Sequence, residues 1–274
     1  MAVLLSPLGF PWFSWRGYRD LERTWFYMCA GLFVLTGFCL LAGAFDDRLF
    51  NGVSVWSKPF KFALSLAVYF ATLLVFSHYL PNGYLRTTAG RILVVSLAWV
   101  AGAEMAYITI QGALGEASHF NATTAFHGLM YSLMGFGAAW LVTALVWFGW
   151  AIARNNMYEN PIVLAIIIGL ALTFIVGGGF GSYLGGQTSH WVGAAETDAN
   201  GILFFNWATD GGDLRVAHFF GMHAMQAIPL FALFLPTRFS YKAKCILIAG
   251  FSILYAAFCA LTFYQALQGQ PFIG

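Results

Sequence analysis

The chain has 274 residues, of which 60% are hydrophobic, 18% aromatic and only 9% charged, with 13 basic and 11 acidic side chains. A soluble globular chain is about 25% charged and about 45–50% apolar, so these few charges cannot cover a water-facing sphere of this length. The balance excludes a disordered chain, a basic nucleic-acid-binding domain and a disulfide-stapled secreted module.

What remains is an all-α integral membrane bundle. A bilayer core of about 30 Å needs roughly 20 apolar residues per spanning helix. Seven segments qualify, over residues 25–44, 59–80, 92–112, 124–153, 162–184, 215–235 and 245–268. Asp46-Asp47-Arg48, Pro81-Asn82-Gly83, Arg154-Asn155-Asn156 and Pro236-Thr237-Arg238 punctuate them. No internal repeat and no Ser/Pro-rich linker divides the chain, so residues 1–274 are read as one transmembrane domain.

Before the first span, Phe10, Trp12, Phe13, Trp15 and Tyr18 interleave with Arg16 and Arg19. That mixture predicts an interfacial cytoplasmic segment over 1–24 rather than a cleavable signal peptide. Basic residues set the orientation. Nine (Arg16, Arg19, Arg23, Arg86, Arg91, Arg154, Arg238, Lys242 and Lys244) fall on one side of the seven-span topology, and four (Arg48, Lys58, Lys61 and Arg215) on the other. The N-terminus is therefore expected in the cytoplasm and the C-terminus outside. Cys29, Cys39, Cys245 and Cys259 have no ligand-like spacing and read as small buried hydrophobes.

The second span opens at Ser57-Lys58-Pro59, with Ser57 as the candidate cap. Lys58 and Lys61 share a helix face there and oppose the helix macrodipole. A compensating anion is expected from Asp46, Asp47, Asp210, Asp213 or an acidic group of a substrate; snorkelling to lipid phosphate is the alternative. In the third span, Glu104 lies two turns before Gln111, about 10 Å deeper and near the membrane middle. An ionisable group at that depth is a functional candidate by default. A Glu104–His223 hydrogen bond that only ties helices together is the plain alternative.

Five of the six histidines (His119, His127, His190, His218 and His223) fall in outer loops or outer helix halves. His190 sits in a long Gly-rich outer loop over 185–214, the kind of loop that serves as a lid or cap. These five are the candidate metal ligands; His127, His223 and Gln226 are candidate cofactor contacts. His218 and His223 are five apart, about 140° around a helix, so one ion reaches both only where the helix is broken. Asn121-Ala122-Thr123 fits a glycosylation sequon. The glycines from Gly177 to Gly186 close the fifth span and read as tight packing or an unwound end. Asp213 is the expected cap of the sixth span, with Arg215 and His218 one turn apart on one face.

Ser118-His119-Phe120-Asn121, and Gly212-Asp213-Leu214-Arg215 followed by His218-Phe219, Gly221, His223 and Gln226, carry a resemblance. The pattern resembles a family of uncharacterised bacterial multi-pass membrane proteins. It covers about a tenth of the chain. The resemblance implies that these residues belong to one recurring outer site in a bacterial inner membrane; it implies no activity. Seven-helix hydrolases of the ceramidase type carry paired histidines in the last helix, and residues 245–268 contain none.

Three functions compete. The first is a membrane-embedded enzyme with a metal ion or haem, expected to be an oxidoreductase on a lipid-soluble small molecule, with Glu104, Lys58, Lys61 and Arg215 as catalytic residues. The second is a proton-coupled transporter or channel using Glu104 and His223. The third is a non-catalytic membrane subunit that docks a partner through Ile202, Leu203, Phe204, Phe205 and Trp207. Membrane lipids are the expected surroundings, and nucleic acid is excluded as a partner.

Overall fold

The computed structural model describes Gly17, Arg19 and residues 22–155 and 160–274, so most of the expected interfacial segment lies outside the described residues. The chain is a helical bundle. Its long helices are α1 (Arg23–Phe45), α2 (Ser57–Phe76), α3 (Thr88–Leu114), α4 (Ala125–Ala153) and α9 (Tyr241–Leu267). Between α4 and α9, α5 (Pro161–Leu172) runs through a π-helical segment (Thr173–Gly178) into α6 (Gly179–Gly185). There follow α7 (Leu214–Met222) and α8 (Ala224–Leu233), bent by 49°. Among the described residues six helical runs are long and apolar enough to cross a membrane, and the bent pair makes a seventh if it is one span.

Caps fix where the helices start. Glu22 accepts from Thr24 N at α1, Thr87 from Gly90 N at α3, Thr124 from His127 N at α4, and Asn160 from Ile162 N at α5, where Pro161 follows. At α2 the expected cap fails. Trp56 holds the cap position without a side-chain bond, and the Ser57 hydroxyl donates instead to Asn206 Oδ1 at 3.1 Å.

The bundle is apolar on both sides of its wall. Trp25, Phe70 and Phe148 are at most 1% exposed and pack ring to ring, with Trp25 5.9 Å from Phe148 and 6.4 Å from Phe70. Val34, Trp99, Phe136 and Leu254 are 71–76% exposed on the outside. Large aliphatic and aromatic groups facing outward around the bundle suit a lipid solvent and would be unfavourable in water.

Two short ladders interrupt the helices at one end. β1 (Leu49–Phe50) pairs with β2 (Val53–Ser54) between α1 and α2, and β3 (Trp191–Val192) pairs with β4 (Gly212–Asp213) in the long loop before α7. This loop-bearing end carries almost every polar group discussed below.

The broken span is held by its neighbour. Pro229 in α8 removes a backbone donor and disfavours a straight helix through the preceding turn. The helix breaks at His223, and the freed groups find other partners: Met225 N donates to Thr173 Oγ1 at 2.9 Å, and Tyr255 Oη donates to Phe220 O at 2.7 Å. A lipid-embedded break is tolerated only when its backbone is satisfied in this way. Of the glycines that close the fifth span, Gly177 and Gly181 answer tight packing, and Gly177 and Gly178 also lie in the wider π-helical segment. A Cβ on Gly177 would lie 2.8 Å from Gly221 C, and one on Gly181 would lie 2.6 Å from His218 Cε1.

Candidate functional site

The polar groups gather where the long loop folds over the starts of α2 and α7. Asp213 is the keystone. It is 1% exposed, caps α7 by accepting from Arg215 N at 3.0 Å, and accepts from Ala208 N at 3.1 Å. The Arg215 guanidinium turns back onto it with Nε at 3.0 Å and Nη2 at 2.6 Å. The same Nη2 reaches Asp198 Oδ1 at 2.8 Å and Asn206 O at 2.7 Å. One arginine thus clamps the loop at 198 and 206 onto the helix start.

Asn206 carries the clamp on to α2. Its φ of 58° is left-handed, a region asparagine tolerates better than most residues. Its Oδ1 accepts from Lys61 Nζ at 2.8 Å, and Lys61 Nζ also reaches Phe205 O at 3.1 Å. Lys58 is half-buried beside this, its Nζ 5.9 Å from the centre of the Phe62 ring. Among the described residues neither lysine has an ion pair. Asp46 is held by Arg48 and by Trp56 Nε1 at 2.8 Å, Asp210 accepts from Ala195 N at 3.1 Å, and Asp47 is exposed.

The histidines separate into three surroundings. His127 belongs to the α4 cap, with Nδ1 3.1 Å from Thr124 Oγ1 and Nε2 3.6 Å from Glu116 Oε2. His119 and His190 lie along a run of rings from α2 into the loop: Phe62–His119 at 5.2 Å, His119–Tyr131 at 6.1 Å, Tyr131–Phe120 at 5.6 Å, and Phe120–His190 at 6.2 Å. His190 is buried, and its Nε2 has no hydrogen-bond partner; Asp198 Oδ1 is 3.6 Å away. His218 and His223 sit deeper, on the broken span. His218 Nδ1 donates to Gly177 O at 2.9 Å. His223 Nδ1 lies 3.3 Å from Gln226 Oε1, and Gln226 Nε2 donates to Thr72 Oγ1 at 3.0 Å.

The sequence-derived groupings are therefore redistributed. Arg215 and His218 share a helix face but serve different partners, Asp213 and Gly177. Glu104 makes no bond to His223; it points at Gly137 on α4, while His223 turns through Gln226 to Thr72 on α2. Among the described residues no three His, Cys, Asp or Glu side chains are grouped to hold a metal ion. Asn121 is 7% exposed, with Nδ2 donating to Ala117 O at 2.9 Å and Oδ1 accepting from Thr123, a poor glycosylation acceptor. Asp198 and Asn206 are the residues that sequence reasoning missed. Asn206 had a signal, as the single polar residue in Ile202–Trp207.

Electrostatics in the loop follow from burial. Burial, with Lys58 nearby, pushes the His119 imidazole well below its ordinary 6.5. Burial and Arg215 lower His190, although Asp198 opposes them. Asp198 is lowered as well, since His190 and Arg215 outweigh its own burial. A histidine depressed in the folded state charges more readily when unfolded, so stability present above about pH 6.5 is lost as the pH falls. Each imidazole contributes up to about 1.4 kcal/mol per pH unit. The thermal midpoint in detergent is expected to be lower at pH 5.5 than at pH 7.5, with the slope reduced in His119→Gln and His190→Gln. A midpoint that rises on acidification would contradict this burial. The lowered Asp198 acts only further down, as pH passes below its ordinary 3.8.

Comparison of the chain with protein-family models, with curated proteins and with solved structures finds no match.

Proposed function

We propose that this chain is a membrane-embedded protein that takes up a lipid-soluble molecule bearing an acidic group, with Lys58 and Lys61 as its counter-cations. One observation carries the reading. Every nearby carboxylate with a bond at this end is engaged elsewhere: Asp46 by Arg48 and Trp56, Asp210 by Ala195 N, Asp198 and Asp213 by Arg215. The two lysines are left facing a helix N-terminus that already repels them. An anion supplied from outside the chain would relieve both repulsions. The aromatic run from Phe62 through His119 and Tyr131 to Phe120 offers its apolar part a surface. His119, kept neutral by burial with Lys58 nearby, would add no further charge to the site. The excess of cations at the other end supports seven spans, a cytoplasmic N-terminus and a site that faces outward.

The test is thermal unfolding in a neutral detergent with oleate against oleyl alcohol. Oleate is expected to raise the midpoint and the alcohol is not. In Lys58→Gln/Lys61→Gln the oleate affinity should fall about 10–100-fold, the loss of two charge-assisted contacts. Without ligand, that double variant loses the Lys61 bonds to Asn206 Oδ1 and Phe205 O and is relieved of the repulsion between cations, so it should stay folded with a midpoint close to the parent's. Equal responses to acid and alcohol, or an undiminished response in the double variant, would overturn the reading.

A second observation favours the metal- or haem-dependent oxidoreductase reading. His218 and His223 each direct Nδ1 at an oxygen acceptor, which leaves Nε2 of both with a free lone pair. The helix breaks at His223, the condition for the two to serve one centre. His218 and His223 would be the residues to hold a metal ion or haem, which would supply the redox chemistry when bound. Metal analysis and an optical spectrum of the purified protein test this. A bound metal or a haem absorption band lost in His218→Ala and His223→Ala would establish it, and a colourless, metal-free, folded protein would remove it.

A further inference from the structure

Glu104 stands apart from the lysines and from the His218–His223 pair, against Gly137. It lies on α3 against α4, half-buried, and its Oε1 is enclosed with no hydrogen-bond partner. The space it occupies exists because residue 137 is glycine. A Cβ there would collide with Glu104 Oε1 and come within 3.0 Å of Val100 Cγ1. Among the described residues the Glu104 carboxyl has no ion pair, and its Oε1 has no hydrogen-bond partner. The titratable groups of the elements packed on α3 are accounted for elsewhere; on the short turn Tyr84–Arg86, Tyr84 Oη accepts from Trp147 Nε1 at 3.0 Å and Arg86 is exposed. On α1, Cys29 Sγ donates to Ala67 O, Cys39 is buried, Tyr27 faces outward and Arg23 lies at the far end. On α2, Tyr69 Oη donates to Leu141 O, and Lys58 and Lys61 sit at the loop-bearing end. On α4, Tyr131 Oη donates to Gly185 O and His127 turns to Glu116.

The surroundings of Glu104 along α3 are asymmetric. Towards the helix start its face presents Val100, Leu97 and Leu93, and the polar groups there are already paired, Trp140 Nε1 of α4 donating to Ser96 Oγ at 3.0 Å. Towards the loop-bearing end the same face presents Tyr107 and Gln111. Tyr107 is 7% exposed, and its hydroxyl is buried without a partner. Gln111 Nε2 lies 3.4 Å from Glu116 Oε2, and Glu116 is exposed and pairs with His127 at 3.6 Å. Towards the loop-bearing end an unpartnered hydroxyl, Tyr107, leads on to Gln111 and the exposed Glu116, whereas towards the helix start the polar groups are spent on one another, Trp140 on Ser96 and Trp147 on Tyr84.

We propose that Glu104, seated in the notch at Gly137, is a proton-binding site within the membrane, loaded and unloaded from the loop-bearing end along Tyr107, Gln111 and Glu116. An unpaired carboxylate in hydrocarbon is costly, whereas the carboxylic acid is not. The step is the addition of one H⁺ from water at the loop-bearing end to a carboxylate oxygen; no other bond forms or breaks. The site stands apart from the lysine site and from His223, so it is tested independently of both.

The experiment treats the full-length protein in detergent with dicyclohexylcarbodiimide, an apolar reagent that activates protonated carboxyls, and locates the adduct by peptide mass. Glu104 is expected to be modified in preference to the exposed Glu116, and a water-soluble carbodiimide should reverse that order. Labelling of Glu104 should fall about tenfold per pH unit above its midpoint. Infrared spectra should show a carboxylic C=O band that shifts in D2O and is lost in Glu104→Gln. Tyr107→Phe and Glu116→Gln should slow that deuterium shift without removing the band. Gly137→Ala should shift the pH midpoint of labelling; if that variant does not fold, the infrared comparison stands alone. A Glu104 that resists the apolar reagent at every pH, or labelling independent of pH, would overturn the proton site. An unchanged exchange rate in both Tyr107→Phe and Glu116→Gln would overturn the loop-end route.

Discussion

Asp213→Ala is expected to lower the thermal midpoint by roughly 10 °C, the largest loss for any single side chain at the loop-bearing end. The carboxylate accepts from two backbone N–H groups and two guanidinium nitrogens while 1% exposed. Removing it strips the α7 cap, a loss of about 1 kcal/mol. It also leaves Arg215 short of its main counter-charge. Breaking a buried pair from one side costs about 3–5 kcal/mol, because the remaining charge is uncompensated. Arg215 would keep Asp198 and Asn206 O, which bounds the damage near the lower figure. Asp213→Asn retains a cap acceptor and should fall less. A midpoint unchanged in Asp213→Ala, read by light scattering or tryptophan fluorescence, would mean that the clamp does not hold the loop to α7.

The second large effect is expected at the crossing of the fifth span and the broken span. Gly177→Ala and Gly221→Ala each place a methyl against backbone: 2.8 Å from Gly221 C and Met222 N in one case, 2.7 Å from Gly177 Cα and N in the other. Backbone cannot rotate away as a side chain can, so each should cost about 3 kcal/mol, the upper part of the overpacking range. The double variant should cost less than the sum, since one methyl already separates the helices. Gly128→Ala and Gly250→Ala are the controls. Both are helical with nothing within 4 Å of the added carbon. They should be neutral or stabilise by up to about 1 kcal/mol. If all four variants behave alike, the close approach is not a determinant of stability.

The helical segments were legible because a spanning helix is fixed by a local property. Residues 162–184 read as a span from composition alone, and the helical run is Pro161–Gly185. The cap at Asp213 was legible for the same reason: an acidic residue before an apolar run has one economical use. Ser57 is the counter-example. It has the right residue type at the right place, yet Asn206, 149 positions away, takes its hydroxyl. The pairing of Glu104 with His223 rested on equal depth in the membrane. Depth follows from the rise per residue, but rotation and neighbour do not, and Glu104 faces α4 while His223 faces α2.

Composition by itself, with only 9% charged residues, pointed to a mostly helical chain with several helices long and apolar enough to cross a membrane, and the described residues contain such helices. The same scarcity singled out Lys58, Lys61, Glu104, Asp213 and Arg215 as residues that need partners. Which partner each finds was decided only in three dimensions. Arg215 takes both Asp213 and Asp198, so among the described residues neither lysine has an ion pair, and Gly137 opens the notch that Glu104 fills. The physical reason is range. Hydrophobic periodicity and capping act over a few residues, whereas a buried charge is settled by whichever opposite group the packed helices bring within about 3 Å.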